Sequence, residues 1–343
     1  MIRSSKPLLR NAAAMLCVVL VTFGLQVMRG GVAPAPDYPC TSDGAETVVE
    51  IPSGTTGSEL AMILFDQGVV KSSSAYFRVA VADKRSEKVA PGGHRLTSQN
   101  CAREVLAQLL DSQRITGLIT VVEGAWNSEI FDQMVKVGFT LQEIQSAKKS
   151  LVLPTGFKSL EGLLFPALYS FDKETSAKAA LESMIKRSTQ AFADSGVMNG
   201  SGKFSPSDLL IIASIIQAEG DRKDFTKISQ VIRNRLEKGM PLQMDSTVHY
   251  IKSVRGSVFL STASTLLKSP YNTYRNYGLP PGPIGNPGID ALKAAVEPVA
   301  GDWLFFITVA PGDTRFTASI DEFNSWKLLY KSNLRKGLFR SSK

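Results

Sequence analysis

From Ser207 to Gly220 the chain reads Ser-Asp-Leu-Leu-Ile-Ile-Ala-Ser-Ile-Ile-Gln-Ala-Glu-Gly, apolar almost without interruption through its middle. A surface helix keeps a polar face, whereas a helix that is apolar on most faces has to lie inside a core. The surrounding fold must therefore close around this segment, which nevertheless ends in a carboxylate, Glu219. Burial disfavours the charged form of a carboxyl and raises its pKa, the condition for a general acid working near neutral pH. Periodicity alone favours the plainer reading, in which Glu219 faces water at a helix end beside a Gly220 stop.

The next constraint lies at the N-terminus. Arg3, Lys6 and Arg10 precede an apolar run from Ala12 to Met28, long enough as a helix for about 25 Å, close to one bilayer crossing. Only Arg29 follows directly, so the positive-inside bias predicts a cytoplasmic N-terminus and an exported body. A cleaved signal peptide is the alternative, since Gly30-Gly31-Val32-Ala33 offers small residues to a peptidase; the length of the run and Pro34 favour a retained anchor. Cys17 sits in the apolar run. Cys40 and Cys101 fall in the oxidising compartment, where they either pair, tying the linker to the first domain, or remain two free thiols.

Beyond the anchor, 1–29, a linker at 30–45 is rich in Pro, Ala, Ser and Gly. Residues 46–112 read as a small α/β module. Thr47-Val-Val-Glu-Ile is a strand, Ser58 caps a helix through Gly68, Ser74–Asp83 is a second helix, His94–Thr97 a strand, and Asn100 opens a helix to Leu110. In 113–343 the order strand, turn, capped helix returns, with Leu118–Val122 as the strand and Asn127 as the cap. Helices follow at 177–197, 206–220 and 225–238, and Trp303–Val309 reads as a buried strand. The class is α+β: an N-terminal transmembrane helix, a small α/β module and a mixed α+β domain.

The formal charge of +8 fits attraction to polyanions. Nucleic acid is set aside, because no basic run is interleaved with aromatics and no Gly-rich phosphate loop is present. A metal centre is not expected: His94 and His249 are the only histidines, far apart and without cysteines at ligand spacing, so each is read as structural or exposed. A serine nucleophile lacks an elbow sequence and a supply of histidine bases. What remains is carboxylate chemistry, with no cofactor.

Longer motifs sharpen this. Ile-Ile-Ala-Ser-Ile-Ile-Gln-Ala-Glu219-Gly, then Val231-Ile-Arg-Asn-Arg-Leu-Glu-Lys-Gly-Met-Pro-Leu-Gln-Met-Asp-Ser-Thr-Val-His-Tyr250, resembles the core signature of the MltG/YceG-like endolytic murein transglycosylases. Ser269-Pro-Tyr-Asn-Thr-Tyr274, Gly278-Leu-Pro-Pro-Gly-Pro-Ile284 and Asn286-Pro-Gly288 resemble the family's second signature, and Glu161-Gly-Leu-Leu-Phe-Pro166 a third segment. The module at 46–112 resembles the LysM-like unit that precedes the YceG-like catalytic domain, here 113–343.

The resemblance implies cleavage of the β-1,4 bond between N-acetylmuramic acid and N-acetylglucosamine within nascent glycan strands, leaving 1,6-anhydro ends and limiting strand elongation. Where the family often reads Glu-Lys-Glu-Thr, this chain has Gln217-Ala218-Glu219-Gly220, so Glu219 is the residue able to donate a proton and Gln217 orients it or contacts sugar. Glu161 is expected in the cleft; Asp245 is a helper, or else a turn residue or a cap before Thr247. Gln243, Tyr271, Asn272, Tyr274 and Asn286 suit sugar recognition, by amide and hydroxyl matching and by ring stacking, or else loop packing. The loop Leu279–Gly288, stiffened by its prolines, is expected to hold one shape and wall the cleft. The implied partners are peptidoglycan strands and penicillin-binding peptidoglycan synthases, and the implied place is the bacterial cytoplasmic membrane. Met244, Ser246 and Phe323 depart from the family pattern. Gln217 and Phe323 favour the competing reading, an inactive wall-binding scaffold that recruits synthases.

Overall fold

The computed structural model describes residues 35–40, 43–255 and 260–339. The expected membrane anchor, Cys17 and residues 30–34 and 41–42 of the linker lie outside them; among the described residues no helix is long and apolar enough to cross a membrane. The chain divides into two compact units, one ending at Thr116 and the other beginning at Gly117.

In the first unit β1 (Glu46–Ile51) and β2 (Gly92–Thr97) pair antiparallel, from Glu46 opposite Thr97 to Ile51 opposite Gly92. Between them run α1 (Gly57–Asp66) and α2 (Ser73–Ala82), and α3 (Ala102–Leu109) follows. Val49, Leu64, Tyr76, Leu96 and Val105 form the fully buried centre. Helix α1 is capped by Thr56 rather than Ser58. Thr56 N–H donates to Glu59 Oε2 at 2.7 Å while Thr56 Oγ1 accepts from Glu59 N at 3.3 Å. Only Thr56 has a glutamate three residues on, so only it can close this reciprocal box. His94 is buried within the strand, its Nε2 at 2.8 Å from Ala90 O.

Helix α3 begins two residues later than Asn100, with Cys101 at its N-cap. Cys101 cannot cap with its side chain because it is bonded to Cys40. Asp37 does so instead, both carboxylate oxygens lying 3.2 Å from Ala102 N. An anion there satisfies an orphan N–H and complements the helix dipole. Ser72 Oγ also donates to Pro36 O at 2.7 Å. The two cysteines are thus paired, and residues 35–40 are held against the first unit by the disulfide and by two polar contacts.

The second unit contains β3 (Ile119–Val121), α4 (Asn127–Lys136), α5 (Leu141–Ser150), β4 (Ala167–Tyr169), α6 (Ala177–Ser195), α7 (Pro206–Glu219), α8 (Phe225–Glu237) and α9 (Asp245–Lys252). It continues with α10 (Thr262–Thr265), α11 (Ile289–Val296), β5 (Phe305–Ala310), β6 (Asp313–Thr317) and α12 (Ile320–Arg335). β3 pairs with β4 and β5 with β6, both antiparallel, so helices supply most of the core. The mixed α+β class follows. Asn127 is not the cap of α4: Trp126 holds that position, with its N–H donating to Glu129 Oε2 at 2.7 Å, and Asn127 turns inward. β5 is not a fully buried strand. Within it only Val309 is buried, because a two-stranded ribbon leaves much of its surface open. Its rings stack instead, Phe306 on Phe316 at 5.7 Å and Phe305 on Phe323 at 5.2 Å.

The disulfide spans 61 residues of sequence, a closure worth about 4 kcal/mol in the chain-entropy account. Replacing Cys40 and Cys101 together by alanine should therefore lower the opening free energy of residues 46–109 by about that amount, measured by hydrogen exchange on the full chain. Exchange in α7 should not change. Unaltered protection in β1 and β2 would refute the clamp.

Candidate active site

Helix α7 starts with a reciprocal box, Ser205 N–H to Asp208 Oδ2 at 2.9 Å and Asp208 N–H to Ser205 Oγ at 3.2 Å, with Pro206 in the first turn. Every residue from Leu209 to Ile216 is buried. The one hydroxyl among them, Ser214, donates to Ile211 O at 2.7 Å and accepts from Ile284 N at 3.0 Å. The helix stops at Gly220, where the backbone becomes extended and passes Ile228 so closely that a Cβ would fall 2.3 Å from its Cδ1. Any side chain there would have to push the Ile228 side chain aside.

Glu219, the last residue of α7, points toward the start of α9, where its Oε1 accepts from Ser246 N–H at 3.0 Å. Burial pushes this carboxyl above its usual range; Ser246 opposes the shift, the negative charge of Asp245 adds to it, and Arg235 opposes it. Arg235 is itself buried, donating through Nε to Leu304 O at 2.6 Å and through Nη1 to Leu242 O at 2.5 Å. Asp245 is the first residue of α9 and receives the Tyr274 hydroxyl on Oδ1. Burial, and then Asp245, raise Tyr274 so that it stays a donor. A pocket of about 230 Å³ lies beside this group, lined by Gln217, Ala218, Ser246, His249, Trp126 and Arg255 among others.

A second carboxyl lies on the same face of α9. Glu161 Oε1 accepts from Asn127 N–H at 3.0 Å and Oε2 from the Tyr250 hydroxyl at 3.2 Å. Burial pushes Glu161 up to about 7; the bonds from Asn127 and Tyr250 pull it down, Glu129 raises it and Arg255 lowers it. Its placement depends on Gly162, whose φ of +86° and whose closeness to Pro283, at 2.9 Å from a would-be Cβ, exclude a side chain. Ser246 and Tyr250 are four residues apart, one helical turn, so α9 presents the two carboxyl sites along one edge. Around Glu161 opens a cleft of about 790 Å³.

The remaining expected residues divide in two. Tyr271 lines the Glu161 cleft, its ring centre 5.2 Å from that of Tyr250. Gln243 is exposed at the turn before α9, with a left-handed φ of 50° and its N–H bonded to Thr273 O at 3.0 Å. Gln217 does not touch Glu219; its Oε1 accepts from Gly288 N–H at 3.0 Å. Asn272 and Asn286, by contrast, are fully buried and cannot reach a sugar. Asn272 Nδ2 donates to Thr265 O and Leu267 O at 3.0 and 2.8 Å. Asn286 Oδ1 accepts from Leu164 N at 2.7 Å, and its Nδ2 donates to Ala125 O and Asn127 Oδ1, each at 2.8 Å. Their amides are spent on pinning loops, the loop-packing alternative. The residues not foreseen are Trp126, Tyr250, Glu129 and Arg255. Arg255 forks onto both Glu129 oxygens at 2.9 and 2.7 Å and lies 3.9 Å over the Trp126 ring. The signal for Tyr250 was its place four residues after Ser246 in the core motif. His249 also lines the Gln217 pocket, its buried Nε2 without a protein partner.

Among the described residues no His, Cys, Asp or Glu cluster could hold a metal ion. The arrangement offers one enclosed proton-exchanging carboxyl, with a cation and a backbone N–H to stabilise its anion.

Comparison with known proteins agrees with this architecture. Residues 49–327 match the YceG-like family. The endolytic murein transglycosylase of Bacillus subtilis is 33% identical over 320 residues, covering 86% of this chain and 88% of that one. The protein of the same name in Streptococcus pneumoniae is 25% identical over 295 residues, covering 76% of this chain and 53% of that one. The crystal structure of a yceG-like protein from Listeria monocytogenes superposes with a TM-score of 0.54 at 27% identity, covering 82% of this chain and 98% of that one.

Because Glu161 binds its proton more tightly in the folded protein, near 7 against a reference of 4.5, the native state holds more protons than the unfolded chain between those values. Stability should therefore be highest below that window and decline as pH rises through it. Glu161→Gln should make the slope of unfolding free energy against pH shallower in urea titrations. An unchanged slope would mean that the carboxyl is solvated.

Proposed function

The chain belongs to the YceG-like family, and we propose on that footing that it is an endolytic peptidoglycan lytic transglycosylase in which Glu219 both gives and takes the proton. The observation that carries the assignment is the enclosure of the Glu219 carboxyl at the end of a buried helix, raised by its surroundings and met by Ser246 N–H.

In the first half of the reaction Glu219 protonates the glycosidic oxygen between N-acetylmuramic acid and N-acetylglucosamine, and the bond to the muramoyl anomeric carbon breaks. Burial keeps the proton on Glu219 until then, and the nearby anion of Asp245 adds to the effect. Once Glu219 is ionised, Arg235 and Ser246 N–H stabilise it. In the second half the muramoyl 6-hydroxyl attacks the anomeric carbon and Glu219 accepts its proton, closing the 1,6-anhydro ring without water. One carboxyl serves both halves, unlike the paired carboxylates of most glycosidases. Tyr274 fixes Asp245, and the Gln217 pocket is the place where sugar meets Glu219.

The wider setting belongs to the same proposal. Arg3, Lys6, Arg10 and the apolar run after them support one membrane crossing with a cytoplasmic N-terminus in the bacterial cytoplasmic membrane. The β1–α1–α2–β2 order supports a LysM-like reading of the first unit. An anchor there would hold the site near penicillin-binding synthases and the nascent strands they make.

The full chain in detergent, incubated with purified peptidoglycan, should generate 1,6-anhydromuramoyl ends visible by mass spectrometry. Glu219→Gln should lower their rate by about 100-fold or more with unchanged melting. Reducing ends instead would indicate hydrolysis, and no cleavage by either folded protein would indicate a scaffold.

A further inference from the structure

The cleft around Glu161 takes no part in the proton transfer at Glu219, yet it is the more spacious of the two openings along α9. Rings of Tyr250, Tyr271 and Phe131 line it, with Ser128 and Ser159 among its polar groups and Glu161 between them. We propose that it is a saccharide subsite: it seats an N-acetylated amino sugar of the same strand, away from the bond being cut, and so sets where along the strand Glu219 acts. This rests on the reading of the substrate as a glycan strand.

Continuity is the first support. Trp126 lines both this cleft and the smaller pocket at Gln217, Ala218 and Ser246. Helix α9 borders both, with Ser246 bonded to Glu219 and Tyr250 to Glu161. A chain of sugars leaving the reacting position can follow the helix edge from one to the other.

Chemistry is the second. Tyr250 and Tyr271 are half-buried and inclined at 49°, forming an angled aromatic wall against which a pyranose face can pack. Glu161 forms no ion pair among the described residues, because the nearby Arg255 is forked onto Glu129. Each Glu161 oxygen keeps a free lone pair after its bond to Asn127 N–H or Tyr250 hydroxyl. A half-buried, unpaired carboxyl can accept from an acetamido N–H or a sugar hydroxyl without displacing a salt bridge.

Cut and grip are therefore separable, and so is the test. Peptide-free glycan strands long enough to span both openings, and a tetrasaccharide too short to do so, serve as substrates for the full chain and its Tyr271→Ala and Glu161→Gln variants. The wild type should prefer long strands in kcat/KM. Tyr271→Ala should shrink that preference by about tenfold and Glu161→Gln by a smaller factor, both mainly through KM on long strands, with anhydro ends scattered over more positions. In the Glu219→Gln background, where nothing is cut, Tyr271→Ala should weaken strand binding by a similar factor, so the subsite is tested even if the wild type makes no anhydro ends. Equal kcat losses on long and short substrates would place Glu161 in the chemistry and overturn the proposal. Unchanged binding in both folded variants, or loss of binding to isolated stem peptide alone, would overturn it too.

Discussion

A helix with no polar face has no amphipathic preference to orient it, so α7 is held in place by whatever closes around it. Leu209 to Ile216 leave nothing exposed. Helices α8, α9 and α11 and the proline-rich loop before α11 supply the enclosure, and the direction of the helix is set by its two ends. The Ser205–Asp208 box fixes the start, and the close pass of Gly220 by Ile228 fixes the stop. Glu219 is held at that position by Ser246 N–H, and burial of its carboxyl raises its proton affinity.

The same enclosure explains why so many amides near the site face away from the clefts. Closing loops over an apolar helix buries backbone groups that must be paired. Asn286 ties its loop to two segments distant in sequence, at Leu164 and at Ala125 with Asn127, while Gln217 pairs Gly288 and Ser214 pairs Ile284. The loop Leu279–Gly288 does hold a defined shape, but its prolines are only part of the reason. Ser214 and Gln217 of α7 accept from Ile284 and Gly288 N–H, the backbone of Gly124 and Ala125 pairs with that of Asn286, and the Asn286 side chain accepts from Leu164 N–H, so moving the loop would break bonds on several sides.

This separates what the linear chain discloses from what it conceals. The burial of α7 is legible because Leu209 to Ile216 are apolar at every position but Ser214, which leaves a helix no polar face. The place of Glu219 at the end of that run is legible too, but the periodicity alone leaves it free to face water. The asymmetry between Tyr271, in a cleft, and Asn272, its immediate neighbour but fully buried, is not: composition treats a loop tyrosine and a loop asparagine alike, and only the turn that bonds Asn272 to Thr265 and Leu267 separates them. Asn127 misleads for a related reason. Asparagine is a favoured cap, yet here Glu129 satisfies the helix start from within, freeing Asn127 to bond Asn286. Residues gathered from distant segments, such as Glu161 with Tyr250 or Glu129 with Arg255, carry no local pattern by which they could be paired.

Environment also assigns different tasks to four chemically similar carboxyls. Glu129 is buried enough to be raised, but the Arg255 fork and Trp126 N–H hold it below its usual range, so it stays an anion and anchors a cation. Asp245 is tied to Tyr274. Glu161 and Glu219 are the two whose burial outweighs their hydrogen bonds, and they differ in what stands beside them. Glu161 has rings and hydroxyls, suited to holding a neutral group. Glu219 has Asp245 on one side and Arg235 on the other, so both its charge states are supported, the acid by the neighbouring anion and the base by the buried cation. A group that must lose a proton and regain it within one reaction cycle needs neither state to be a trap. Glu161 also lies between opposing charges, raised by Glu129 and lowered by Arg255, but that arginine is already forked onto Glu129, whereas Arg235 donates to main-chain carbonyls and is left to balance Asp245 at Glu219.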